Sequence, residues 1–287
     1  MIQLVCGLLT LYFPPESLLQ NIDTYINYID KLYVVDNTPL VNTLLHSEIK
    51  AKYSKVDIVS SGDNIGIAAA LNIGIREGIR NEYAWLLTMD QDSSFAQDQA
   101  DKYFSSLGFL DAKDVAIVSP LHERPVTDSG VCEYEKKIQV MTSGNLLNLA
   151  LTEDIGLFNE ALFIDSVDHD YCLRANLCGK NVLQTKNCYI IHEVGNCHTS
   201  SLLFGYRKRT FHMHSAKRMY FIVRNNLYLR KEYRNEFPEF IRIYKKVVNN
   251  KISKTLRYGD NKLVYLKYII KAYRDFYLNK YGNQVGL

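Results

Sequence analysis

Two acids one residue apart, Asp90 and Asp92, close the apolar run Trp85-Leu86-Leu87-Thr88-Met89-Asp90-Gln91-Asp92-Ser93. On a strand, residues two apart point the same way. The turn residues that follow would end the strand and gather both carboxylates at one sheet edge. Two such charges repel unless a cation lies between them. A hard divalent cation prefers oxygen ligands and keeps open positions for phosphate oxygens. The pair therefore reads as a metal–diphosphate site at the carboxyl end of a strand, where open α/β sheets bind ligands. A solvated Asp-x-Asp pair is the bland alternative.

A second acidic group, Asp165, Asp168 and Asp170, stands in Phe163-Ile164-Asp165-Ser166-Val167-Asp168-His169-Asp170-Tyr171-Cys172-Leu173-Arg174. The segment reads as a strand end turning into a helix, with Gly179 as the stop. One of its carboxylates could serve as a general base. Asp also caps helices well, and Asp170 with Arg174 fits an i,i+4 ion pair. Those plain roles account for two of the three acids. His192 follows another apolar run and could contact metal or phosphate there; a structural histidine is the alternative. Cys188, His192, Cys197 and His198 match no standard zinc spacing.

The elements that must position these residues alternate. Apolar runs at 2–10, 32–36, 56–59 and 84–90 read as strands. Between them fall a helix opened by Pro14-Pro15, a poorer one near 41–50, and an Ala-rich one from Gly66. Small residues on that third helix allow close packing on a sheet, and amides at its start can meet an anion. A helix at 96–107 and strands at 115–118, 143–147 and 190–191 continue the pattern, with a loop or hairpin at 120–138. Alternation of this kind predicts a mostly parallel sheet with helices on both faces. No Gly-x-Gly-x-x-Gly follows the first strand and no Gly-Lys-Ser/Thr occurs, which argues against dehydrogenases and P-loop NTPases.

Taken in order, Val35-Asp36-Asn37, Asp63-Asn64-Ile65-Gly66, Asn72-Ile73-Gly74, Asp90-Gln91-Asp92-Ser93 and the 165–174 segment resemble family 2 glycosyltransferases of the GT-A fold. The resemblance covers about residues 2–200 and continues weakly through Arg218–Asn226. The Asp-Gln-Asp-Ser form looks most like bacterial rhamnosyltransferases. It implies a catalytic domain over 1–205, donor side about 1–118 and acceptor side about 119–205, with a helical extension over 206–287. Asp36 would hold the donor base, while Thr10, Asp63, Asn64 and Asn72 would border the nucleotide. Asp90 would face ribose and metal, and Asp92, with His192, would ligate Mg²⁺ or Mn²⁺. Asp168 aligns with the catalytic base, with Asp165, Asp170 and Arg174 around it on the acceptor side. Leu71 stands where many members carry an Arg. The implied reaction is inverting transfer of L-rhamnose from dTDP-L-rhamnose to a lipid-linked cell-surface polysaccharide intermediate. A UDP-hexose donor, or a non-catalytic sugar-nucleotide-binding or membrane-associated protein, is the alternative.

Charge is unevenly spread. Residues 201–287 hold 20 Lys and Arg against 5 Asp and Glu, a balance of +15, whereas residues 1–200 hold 14 against 26, a balance of −12. Of 21 tyrosines, 11 fall in the basic part. Helices are expected across 213–280. In 263–277, Leu263, Leu266, Ile270, Tyr273 and Tyr277 form an apolar stripe beside Lys267, Lys271 and Arg274. Docking on an anionic membrane surface is one reading; packing on the catalytic domain or in a homodimer is the other. No nucleic-acid-binding module is recognisable. The six cysteines form no Cys-x-x-Cys pair, no secretory signal is visible and no run is long enough to span a bilayer. These features predict reduced thiols and a cytoplasmic protein, peripheral on the inner membrane face if it docks there.

Overall fold

The computed structural model of the chain describes residues 4–127, 130–192, 197–201 and 208–287, with backbone alone at 197–201 and 208–212. In chain order its strands are β1 (Val5–Leu11), β2 (Lys31–Asp36), β3 (Val56–Ser60), β4 (Trp85–Asp90), β5 (Ser93–Phe95), β6 (Val115–Leu121), β7 (Tyr134–Lys136), β8 (Asn145–Asn148), β9 (Asn181–His192), β10 (Cys197–Ser201) and β11 (Lys208–His212). The helices are α1 (Leu18–Asp23), α2 (Thr43–Lys52), α3 (Ile67–Arg80), α4 (Gln99–Ser106), α5 (Thr152–Ile155), α6 (Val167–Leu177), α7 (Ala216–Tyr233), α8 (Pro238–Tyr258) and α9 (Lys262–Tyr277). The chain divides into two compact units, Met1–Glu160 with Val167–Glu193, and Ala161–Ser166 with Val194–Leu287. A short piece before α6, Ala161–Ser166, thus belongs to the second unit.

The first unit is built on one sheet in the order β3-β2-β1-β4-β8-β6-β9-β5, with β7 also on β9. Strands β3, β2, β1 and β4 run parallel. β8 is antiparallel to both β4 and β6, and β9 returns parallel to β6. β1 is buried along its whole length, which is why Val-Cys-Gly-Leu-Leu-Thr-Leu is nearly unbroken in apolar character. The small residues of α3 allow a close approach to the sheet: a Cβ at Gly78 would lie 2.6 Å from Leu149 Cδ1 and 3.1 Å from Cys6 Sγ. Two expectations need correction. The helix after Pro14-Pro15 starts only at Leu18 and is short, continuing as a 3₁₀ turn over Ile26–Tyr28. β5 was not foreseen, because three residues carry no periodic signal.

The second unit has the β10–β11 hairpin and α7, α8 and α9. Its core joins α7, α8 and α9 through Met219, Phe221, Val223, Val248, Ile269 and Ala272. The residues that enter α6, 163–166, form no strand. Phe163, Asp165 and Ser166 instead take φ of 67°, 61° and 64°, a region that costs a non-glycine residue on the order of 1–2 kcal/mol. Buried side chains of α7 hold this backbone. The Asn225 amide donates to the carbonyls of Leu162, Ile164 and Asp165 at 2.7–2.9 Å. Arg224, fully buried, donates to the carbonyls of Ala161 and Leu162 at 3.1 Å and of Gly282 at 2.6 Å. Removing the guanidinium would orphan buried carbonyls, each worth about 1–3 kcal/mol. Arg224→Leu is therefore expected to destabilise this unit by about 3 kcal/mol or more, read as a lowered urea midpoint followed by far-UV circular dichroism. A midpoint equal to wild type would refute the clamp.

Candidate active site

Parallel register decides which residues share the carboxyl edge of the sheet. Thr10 pairs with Asp90, and Leu11 pairs with Asp36. Asp36 is buried at the end of β2. Its Oδ1 accepts from the Thr38 amide at 2.9 Å and its Oδ2 lies 2.7 Å from His46 Nε2. It borders a cleft of about 550 Å³ with Phe13, Leu18, Thr38 and Leu45. His46 was missed by sequence reasoning, since it lies mid-helix with no local signal.

At the end of β4, Asp90 and Asp92 approach His192. One ligand atom from each lies within 4.8 Å of the others, and Asp92 Oδ1 is 3.4 Å from His192 Nδ1. Three devices hold this arrangement. The Gln91 side chain accepts from the Tyr12 amide at 2.7 Å and donates to its carbonyl at 3.0 Å, fixing the residue between the acids. β5 pairs antiparallel with β9 and sets Ser93 opposite His192, with Ser93 Oγ 2.8 Å from His192 Nδ1. Ser143 Oγ accepts from the Asp90 amide at 3.1 Å. Two carboxylates and an imidazole suit Mg²⁺ or Mn²⁺, hard cations served by oxygen and tolerant of nitrogen. Zinc through Cys188 lacks support: Cys188 Sγ instead faces Cys132 Sγ at 3.0 Å. The Cys197 and His198 side chains lie outside the described residues.

His122 joins the site unannounced. Its ring stands 6.2 Å from that of His192, edge to face. Its Nε2 is 3.0 Å from the Ser143 carbonyl, so that nitrogen carries the proton. Burial first, and His192 second, push its pKa down to about 4, while Asp168 acts in the opposite sense. The available signal was the one that singled out His192, a histidine just past a buried strand.

Asp168 is the second residue of α6. Its Oδ1 is 2.7 Å from His169 Nδ1 and accepts from the His169 amide at 2.8 Å. Burial alone would raise its pKa, but the His169 ring and amide outweigh it and hold the carboxyl below the usual range. An ionised carboxylate is what a proton acceptor must be.

The other expected residues lie elsewhere. Asp170 is buried against Arg174 Nε at 3.0 Å, and Arg174 also binds the carbonyls of Ile155 and Leu157. The pair ties α6 to its neighbouring turn. Asp165 belongs to the second unit, where Arg218 Nε sits 3.2 Å away. Asn72 is buried, with its amide donating to the Phe158 carbonyl and Glu160 and its oxygen accepting from the Phe158 amide. Asn64 Oδ1 accepts from the Gly66 amide at 3.0 Å and shapes the turn into α3. Asp63 is exposed on that turn.

No family profile matches the chain. A curated relative, "dTDP-rhamnosyl transferase RfbF" of Shigella flexneri, is 29% identical over 263 residues, covering 84% of each chain. Among solved structures, GalNAc-T7 with UDP, GalNAc and Mn²⁺ matches 96% of this chain at a TM-score of 0.60 and 12% identity. This chain spans 56% of that one. S. aureus TarS 1–349 in complex with UDP-GlcNAc matches 96% of this chain and 80% of its own at a TM-score of 0.56 and 13% identity. The expected fold is the observed one, GT-A with a helical C-terminal region.

The depressed His122 pKa has a consequence for stability. Between its unfolded value of 6.5 and its folded value of about 4, the unfolded chain binds a proton that the folded chain does not. Stability is therefore full above that window and falls as pH drops through it, by on the order of 3 kcal/mol. His122→Asn, which keeps an N–H donor for the Ser143 carbonyl, should flatten the acid-side slope of Tm in chelator-treated protein. An unchanged slope would assign the acid sensitivity elsewhere.

Proposed function

We propose that this GT-A chain is a sugar-nucleotide-dependent glycosyltransferase that moves L-rhamnose from dTDP-L-rhamnose, with inversion, onto a lipid-linked cell-surface glycan. The observation that carries the transferase reading is the convergence of Asp90, Asp92 and His192 at the carboxyl edge of the parallel strands. The rhamnosyl assignment is supported by the curated relative's name.

The cleft beside Asp36 receives the base, with Thr10 and Asp90 next along the edge. Asp90, Asp92 and His192 hold Mg²⁺ or Mn²⁺, which when bound supplies Lewis-acid neutralisation of the departing diphosphate. An open pocket of about 350 Å³ beside His122, lined also by Glu123, Gln139, Met141 and Gln184, admits the acceptor. Asp168 takes the proton of the attacking hydroxyl. The new oxygen–carbon bond forms as the bond to the diphosphate breaks, and one displacement inverts the anomeric carbon. His122, neutral near pH 7, adds no positive charge that would compete with proton transfer to Asp168.

Asp168→Asn should lower turnover by about 10²–10⁴-fold while calorimetry shows donor binding unchanged. Full activity in that variant would remove Asp168 from the mechanism. In a calorimetric panel of dTDP-rhamnose, UDP-glucose, UDP-galactose and UDP-N-acetylglucosamine, dTDP-rhamnose should bind in a Mn²⁺-dependent way, and Asp92→Asn should lose that dependence. Preference for a UDP-sugar would keep the transferase and overturn the sugar. Binding of no donor would favour a non-catalytic protein.

A further inference from the structure

The apolar stripe of α9 is not the face that packs. The core takes Ile269 and Ala272, with Tyr265, Tyr268 and Phe276 beside them. Leu263, Leu266, Ile270, Tyr273 and Tyr277, spaced three and four apart, are 82%, 42%, 59%, 39% and 74% exposed. The helix thus carries two apolar rows, one covered and one open.

The open row ends at a cationic groove. A cavity of about 750 Å³ is lined by Arg230, Lys231, Arg234, Arg242 and Lys245 over an apolar floor that includes Leu227 and Ile241. Tyr277 belongs to both the groove and the row. Arg242 is held by Glu239, and Lys231 lies 3.9 Å from Glu232. Arg230, Arg234 and Lys245 make no ion pair among the described residues.

We infer that this face of the second unit docks on an anionic phospholipid bilayer, with lipid phosphate in the groove and the α9 row in the interfacial layer. Arginine forks match phosphate oxygens. An apolar row beside basic residues is what an interfacial helix presents to lipid. Charge argues against a second copy of the chain: residues 201–287 carry a balance of +15, and apposed grooves would bring unpaired cations together. No helix of the described residues is long and apolar enough to cross a membrane, so the contact is a surface one.

The test is co-sedimentation of the full chain with phosphatidylcholine vesicles and with vesicles containing phosphatidylglycerol, at low and high salt. Wild type should bind the anionic vesicles alone and lose them as salt rises. R230E/R234E and, separately, L266Q/I270Q should each bind at least about tenfold more weakly. All four positions are on this exposed face or groove, and unchanged thermal melting would verify folding. Donor-nucleotide calorimetry on the same variants should be unchanged, so failure here is distinct from failure of the transferase reading. Absence from anionic vesicles, or equal binding by the folded variants, would overturn the inference. So would conversion of a dimer to a monomer by L266Q/I270Q, or a groove that retains a single-stranded oligonucleotide but no vesicle.

Discussion

The repulsion between Asp90 and Asp92 is the constraint that the first unit is organised to withstand. Two carboxylates at the end of one strand repel each other more strongly at a half-buried edge than in bulk water. The chain locks their backbone. Gln91 clasps both backbone groups of Tyr12, and Ser143 receives the Asp90 amide. The three-residue β5 brings Ser93 and His192 together from opposite sides. Such fixing pre-organises the two carboxylates, the condition under which charged groups act with little reorganisation.

The same economy governs the second acidic group, whose three members have three fates. Asp168 stays ionised because His169 donates to it twice over a short local path. Asp170 is consumed in a buried tie with Arg174, which also saturates two turn carbonyls. Asp165 sits on left-handed backbone clamped by Asn225 and faces Arg218. The first is held by its own sequence neighbour, while the other two are tied into the packing around the start of α6.

Much of this was legible in the residues, for physical reasons. Continuous apolar runs mark strands buried on both faces, so β1, β2 and β4 could be read directly; Thr10 and Asp36 were reached through the family resemblance, and the strand register sets them beside Asp90. What escaped depends on long-range pairing. β5 exists because β9 is there to bond it, and His46 and His122 reach their partners across 10 and 21 residues. Asn72 looked like a ligand-binding amide, yet its oxygen and nitrogen both serve the backbone at Phe158. Motif order identifies a family's positions; hydrogen-bond bookkeeping decides which of them stay free to act.

Periodicity alone could not choose between the two rows of α9, since both recur at three and four residues. The choice lies with Asp275. Fully buried, it needs donors, and it draws them from Tyr220 of α7 and from Lys271 and Arg274 of its own helix. That requirement turns the 269–272–276 face inward and leaves the 263–266–270–277 row outside. It also removes two cations from the basic stripe that the sequence displays. Arg230, Arg234 and Lys245 at the α7–α8 groove make no ion pair among the described residues, and the exposed apolar row is left beside that groove without a covering partner of its own among those residues.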